Sequence, residues 1–421
     1  MKTLRPDVVV TGTGIVCPIG VGRMAVWRSL AGGVTGIRRV TAFDTSSTPI
    51  HLGGEVVDLD TANLPGPRKA QKVMSRDIQL GLLAAELAWR DTGLADGAIP
   101  PDRLGVVFGT DMIHCQPDEL AEAFGHSLRD GKFDLSTFGH EAMRHIFPLW
   151  LLKYCPNMPA SHVSLVRDAR GPNNTITAGE VSSLAAIAEA ADCIRRGQAD
   201  VMICGGTGSR VQPWLWVRAC QDVQASTRDT AAAAARPFDL DRSGYVNGEG
   251  AGALVLESRA SAVARGARIV ASVEGYACRH ADPRAGGHTR RSVERAMSAV
   301  LAAARRSPKT VGFCSAHGLG TRTGDREEAE AIRAVLGSTP VTALKSYFGN
   351  LGSGAGAVEA VIGLMALERK LVPATLNHTA RDPDCPIEVV SGRMIPMKHA
   401  SVLTVNYTPQ GQAAAMLFAR A

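Results

Sequence analysis

No run of about 18 apolar residues occurs in this 421-residue chain, which argues against a membrane-spanning helix. The nine cysteines are odd in number and scattered, and none forms a Cys-x-x-Cys pair. Neither a zinc site nor a disulfide framework is therefore indicated, and a reducing, cytoplasmic setting fits best. Long Lys/Arg runs are also lacking. With 46 basic residues against 40 acidic ones the formal net charge is only +6, which points away from nucleic acid and equally suits an acidic protein partner. Ahead of the first β-branched run, at Val8, no charged segment leads into a long apolar stretch, so no signal peptide is expected. No short tandem repeat is visible, and the one low-complexity patch, Ala231 to Ala235, is too short for a linker.

The chain does hold ordinary globular material, 45% hydrophobic and 20% charged, with length for two or three domains. Short β-branched runs alternate with amphipathic helical ones. Strands are expected at Val8–Val16, Leu104–Phe108, Asp200–Cys204, Arg268–Val273 and Val311–Ser315. Helices are expected at Lys69–Thr92, Glu180–Arg196, Ser292–Arg305, Asp325–Val335 and Ala355–Glu368, the first closed by Gly93 and the second by Gly197. This alternation, with glycine-rich strand ends, implies an α/β architecture with mainly parallel sheets. A loose internal duplication is also expected, each half supplying a strand, a polar turn and a helix. His114, His126, His140 and His145 fall between Asp111 and Pro148 without strict ligand spacing. They read as surface and helix-end residues, and no metal or cofactor is expected.

Several segments, in order, resemble the β-ketoacyl synthases of fatty-acid and polyketide synthesis. Val10-Thr11-Gly12-Thr13-Gly14-Ile15-Val16 is similar to their first strand and turn. Gly171-Pro172-Asn173-Asn174-Thr175 resembles the run leading to the nucleophile. Arg236-Pro237-Phe238-Asp239, then Gly244-Tyr245-Val246 and Gly248-Glu249-Gly250, matches the mid-chain signature. His317-Gly318-Leu319-Gly320-Thr321 resembles the first catalytic-histidine motif, and Lys345-Ser346 with Gly349-Asn350-Leu351-Gly352 the second. The resemblance implies a duplicated, five-layered α-β-α-β-α thiolase-like fold, with an N-terminal half over 1–255 and a C-terminal half over 256–421. It also implies a dimer and acyl chains delivered on an acyl carrier protein.

The family's nucleophilic cysteine sits at the N-terminus of a buried helix, where amides and the helix dipole favour a thiolate. Counting back from Ala199-Asp200-Val201-Met202 places Glu180 at that position, with Ser182 and Ser183 as neighbouring hydroxyls and Cys193 in the core. An acyl-glutamate would be an anhydride that water destroys, so Glu180 is not expected to hold a growing chain. His317 keeps the first histidine and is expected to pair with Glu180. Asn350 stands where elongating relatives carry a second histidine, as in relatives that use Cys-His-Asn. Lys345 is expected in an ion-pair network with Asp325 and Glu328. Gln410 and Gly411 follow Pro409 where relatives carry a Gly-Phe-Gly-Gly oxyanion loop. The degenerate Glu180-His317-Asn350 set leaves two functions open. One is a non-condensing, chain-length-factor-like subunit, heterodimeric with a Cys-bearing ketosynthase or homodimeric. The other is a decarboxylase, or another acyl-thioester enzyme, acting on malonyl-acyl-carrier protein through those three residues.

Overall fold

The computed structural model describes residues 7–57, 59–61 and 64–420; the signal-peptide reading falls mostly on residues outside that set. Ten strands carry the fold. They are β1 (Val8–Cys17), β2 (Leu104–Thr110), β3 (Asn173–Thr177), β4 (Val201–Ser209) and β5 (Glu249–Ser258), then β6 (Ala271–His280), β7 (Phe313–Ser315), β8 (Pro340–Thr342), β9 (Ser401–Tyr407) and β10 (Gln412–Ala419). The first five lie in the order β1-β5-β4-β2-β3 and the second five in the order β6-β10-β9-β7-β8. The two orders are the same topology written twice. In each, the first strand runs antiparallel to the fifth and the fifth antiparallel to the fourth. The fourth runs parallel to the second and the second parallel to the third. A short antiparallel contact, Val9 with Ser272 and Val10 with Ala271, joins the two sets.

The sheets are thus mixed, which corrects the expectation of mainly parallel pairing. The reason is local. β9 and β10 are joined by the tight turn at Thr408–Gly411, a hairpin that can only give antiparallel neighbours. The strand–helix alternation that suggests parallel crossovers governs β4, β2 and β3 in the first set and β9, β7 and β8 in the second, while β5 and β10 each lie antiparallel to both neighbours.

Six helices matter here: α1 (Arg76–Asp91), α2 (Asp118–His126), α3 (Ser182–Arg195), α4 (His288–Ala304), α5 (Arg322–Leu336) and α6 (Ala355–Arg369). Helix α1 covers the outer face of the first sheet, α4 packs on the second with α5 against it, and α3 and α6 fill the layer between. Five layers result. The expected helix at Lys69–Thr92 is broken: Arg68–Gln71 forms one turn and α1 restarts after Ser75, whose extended backbone interrupts the helix. Met74, beside that break, is buried in the core. Gly93 (φ 68°) and Gly197 (φ 70°) follow α1 and α3 in left-handed conformations, as their sequence positions imply.

The middle layer sets the packing demand. Every residue of α6 from Ala355 to Leu367 is buried, and apart from Glu359 all are apolar or small. Its companion α3 lies so close to the first sheet that the strand must carry glycine beneath it. A Cβ on Gly206 would stand 2.4 Å from the Ser183 Cβ and 2.8 Å from the Ser353 carbonyl oxygen. Overpacking of this kind costs about 1–3 kcal/mol. Gly206→Ala is therefore expected to lower stability by that amount in denaturant melts, or to prevent folding. Gly125→Ala, on exposed α2 with open space around it, is expected to change stability by less than about 1 kcal/mol. Equal effects of the two substitutions would refute this account of the middle layer.

Candidate functional site

The residues singled out in the sequence gather around the N-terminal ends of α3 and α6. Ahead of α3, Gly179 takes φ 60° and opens a 3-10 turn, Gly179–Val181, that swings Glu180 into the interior, where it is 6% exposed. The α-helix proper starts two residues later than the sequence suggests. Ser182 Oγ donates to the Gly179 carbonyl oxygen (2.7 Å) and accepts from the Ala178 amide (2.8 Å). Ser183 Oγ accepts from the Ala357 amide at 3.0 Å. Both hydroxyls are buried and committed to backbone, so neither serves as a spare nucleophile. Cys193 is buried on α3, as expected.

Glu180 does not pair with His317, contrary to the sequence expectation. Its Oε1 accepts from Arg210 Nη2 at 2.6 Å and lies 3.4 Å from Asn350 Nδ2. Arg210 was invisible as a site residue in the sequence. It directly follows β4, and its amide donates to the Gly248 carbonyl oxygen at 3.0 Å. Its side chain crosses Gly352, at the turn after Asn350. The only available signal was position: a lone cation just past the Gly205-Gly206-Thr207-Gly208 strand end. Asn350 is itself held firmly, its Oδ1 accepting from the Gly352 amide at 3.1 Å and its own amide donating to the Val246 carbonyl oxygen at 2.7 Å.

His317 is fully buried and held from one side. Its Nδ1 faces two donors, Lys345 Nζ at 3.1 Å and Asn406 Nδ2 at 3.1 Å. Asn406 Nδ2 also donates to Glu359 Oε2 at 2.7 Å, which fixes the orientation of that amide. Nδ1 must therefore accept, and the ring proton sits on Nε2, which has no hydrogen-bond partner. Burial, then the charges of Lys345 and Arg210, hold the imidazole well below its ordinary pKa and keep it neutral. Tyr407 tilts against the ring with centroids 4.4 Å apart.

Lys345 corrects another expectation. Its three ammonium hydrogens go to His317 Nδ1, to the His317 carbonyl oxygen (2.8 Å) and to Glu359 Oε1 (2.5 Å), not to Asp325 or Glu328. Those two carboxyls instead brace the loop that carries His317. Glu328 accepts from the His317 and Gly318 amides at 2.7 and 2.8 Å. Asp325 accepts from the Phe238 and Gly320 amides at 2.7 and 3.0 Å.

A cavity of about 650 Å³ opens beside Glu180, lined also by Arg210, His114, Arg218, Asp222 and Gln410. Gln410 thus reaches the site. Gly411 does not line it: its amide donates to the Thr408 carbonyl oxygen at 3.0 Å within the β9–β10 turn. Of the four histidines between Asp111 and Pro148, His114 lines this cavity, while His126 and His145 stack on each other elsewhere.

The buried carboxyls have a pH consequence. Burial pushes Glu328 up to about 8 and Asp325 up to about 6. In the folded chain both keep protons that the unfolded chain has lost. Their stabilisation is complete below the ordinary carboxyl range and disappears as pH rises through 6 and then 8. His317 acts oppositely, because its ring stays neutral where the unfolded imidazole is protonated, so stability also declines below its ordinary value of 6.5. The apparent unfolding temperature is expected to fall as pH rises through 8, and Glu328→Gln is expected to flatten that alkaline fall in thermal scans. An unchanged slope would remove Glu328 as its source.

Comparison with known proteins bears on the family and the fold. Residues 5–262 match the beta-ketoacyl synthase N-terminal domain and residues 270–379 the beta-ketoacyl synthase C-terminal domain. The 3-oxoacyl-[acyl-carrier-protein] synthase 2 of Synechocystis sp. is 34% identical over 397 residues, 92% of each chain. Among solved structures, the ishigamide ketosynthase/chain length factor superposes with a TM-score of 0.87 at 28% identity, covering 99% of this chain and 100% of that one. The AntDE:AntF complex, a type II PKS acyl-carrier protein with its ketosynthase bound to the hexaketide, superposes with a TM-score of 0.81 at 27% identity, again over 99% and 100%. Two consecutive family domains spanning residues 5–379, on a full-length match to thiolase-like ketosynthase structures, make this chain a member of the beta-ketoacyl synthase family.

Proposed function

We propose that the chain is a non-condensing, chain-length-factor-like subunit of fatty-acid or polyketide synthesis that works with a Cys-bearing ketosynthase and an acyl carrier protein. The observation that carries this reading is the 2.6 Å ion pair between Glu180 and Arg210 at the nucleophile position. A thiolate there would attack a thioester. A carboxylate clamped by a guanidinium is a poor nucleophile, and its acyl product would be a hydrolysable anhydride. The ketosynthase/chain length factor and the carrier–ketosynthase complex among the structural relatives support the same assignment.

Two features support a protein partner. Among the described residues strand β3 is a sheet edge, paired only with β2. The segment before it exposes Leu128, Phe133, Leu135, Phe147 and Leu151, a surface suited to another subunit. The division into halves at 255/256 belongs to the same reading. So does a reducing cytoplasm, consistent with nine free cysteines, and no described helix is long and apolar enough to cross a membrane. Co-expression with a Cys-bearing ketosynthase is expected to give a heterodimer stable to gel filtration. After incubation with an acyl-carrier thioester, intact mass spectrometry is expected to show acylation of the partner only. Elution as separate homodimers, or an acyl adduct within Thr177–Ser183, would defeat the proposal.

A second reading, decarboxylation of a malonyl thioester, is favoured by one observation: His317 Nε2 retains a proton with no partner, a donor left for a thioester oxygen. Asn350 Nδ2 is a second donor, in weak contact with Glu180. The negative charge of Glu180 opposes a malonyl carboxylate in the same space. Glu180→Gln removes that charge and frees Arg210. It is expected to raise malonyl decarboxylation at least about tenfold, about 1.4 kcal/mol in barrier. Adding His317→Ala is expected to abolish the gain, read as acetyl-carrier formation with time. Efficient wild-type turnover lost in Glu180→Gln would instead make Glu180 catalytic.

A further inference from the structure

Between β2 and β3 the chain forms a cap of small elements, with α2 lying against the 3-10 turn Ala142–His145. Little apolar surface is buried by α2 and this turn. Ala123 is the buried residue of α2 and Ala142 that of the turn. An aromatic cluster of Phe124 with Phe133 and Phe138, at centroid distances of 5.9 and 6.1 Å, is partly open to solvent. A unit with so small a core gains little from burial alone, which is where polypeptides commonly use a metal or a disulfide as a staple.

Glu122 and His126 stand four residues apart on α2 and therefore share one face. The turn brings His145 to the same place. His145 Nδ1 lies 2.8 Å from Glu122 Oε1, and the His126 and His145 rings stack with centroids 3.9 Å apart and planes 12° from parallel. One ligand atom from each of the three residues falls within 4.8 Å of the others. Among the described residues this is the one such grouping. Ligand atoms around a four-coordinate zinc ion stand roughly 3.3 Å apart, given bonds of about 2.0–2.1 Å. Closing the site takes a contraction of about 1.5 Å at most and rotation of one imidazole out of the stack, because a ring nitrogen binds a metal in its own ring plane; both movements are within reach of exposed side-chain torsions.

The geometry points to a surface Zn²⁺ site formed by Glu122, His126 and His145 that ties α2 to the Ala142–His145 turn and leaves a fourth position for water. Two imidazoles and one carboxylate are the nitrogen and oxygen donors this ion accepts, and three protein ligands with one open position is a familiar zinc arrangement. None of the three lines the Glu180 cavity, so the inference does not rest on the proposed function, although the site lies on the segment whose Leu128, Phe133 and Leu135 that reading gives to a partner.

The test is calorimetric titration of the metal-free full-length chain with zinc chloride, alongside a His126→Ala/His145→Ala variant. Both histidines are exposed, so the variant keeps its fold, as circular dichroism will check. One Zn²⁺ per chain is expected, with affinity at least about tenfold weaker in the variant. Limited trypsin cleavage at the exposed Arg129 and Lys132, between α2 and the turn, is expected to slow severalfold with Zn²⁺ in the wild type only. Equal affinity in the variant overturns the site. Histidine-dependent binding that leaves cleavage unchanged overturns the staple.

Discussion

A charge buried in the most apolar helix of the molecule organises everything near the site. Glu359 lies within α6, 0% exposed, in a helix whose neighbours on every side are buried. Burial raises its pKa, and the Lys345 ammonium and the Asn406 amide oppose that rise. An uncompensated charge there would cost several kcal/mol, so all three groups must arrive together. Lys345 comes from the turn before α6, and Asn406 from β9. Having met Glu359, the same two side chains present their remaining hydrogens to His317 Nδ1. The tautomer of the histidine, and the open Nε2–H that follows from it, are consequences of neutralising one glutamate.

Around this framework the charges balance. Glu359 answers Lys345, and Glu180 answers Arg210. His317 stays neutral between two cations, with Arg210 among the charges that hold it so. Glu180 and His317 therefore share no hydrogen bond and are still coupled, because Arg210 touches one and repels protonation of the other. Position 180 acts on the histidine through the guanidinium. The loop that carries His317 is braced separately by Asp325 and Glu328, carboxyls that take backbone amides rather than cations as their first partners.

Much of the fold was legible in the chain. Periodicity placed β1, β2, α3, α4, α5 and α6 to within a few residues, because each is long or closed by a recognisable glycine or cap. The hairpin of β9 and β10 was missed, and with it the mixed character of the sheets, because a turn such as Thr408–Gly411 is short and carries Pro409 inside it. The break before α1 was missed because Lys72 to Ser75 contains no helix-breaking residue. Candidate site residues were legible where a motif surrounded them: Glu180 by its spacing to β4, His317 and Asn350 by their glycine-rich turns. Arg210 had no motif, and Gly411 owed its place on the expected loop to adjacency in sequence alone.

The sequence by itself determined the family and the α/β layering, and it set Glu180 where the family resemblance leads one to expect a cysteine, since these depend on residue identity and on order along the chain. It could not decide who pairs with whom. The partners of Glu180, Lys345 and Glu328 lie 30, 14 and 11 residues away in the hydrogen bonds that matter, and Asn406 meets His317 across 89. In a buried site a charge takes whichever partner the packing brings within about 3 Å, and desolvation makes that choice expensive to reverse. Arg210 rather than His317 holds Glu180 because the end of β4 and the turn after Asn350 deliver a guanidinium there, a fact of three-dimensional packing that no local pattern encodes.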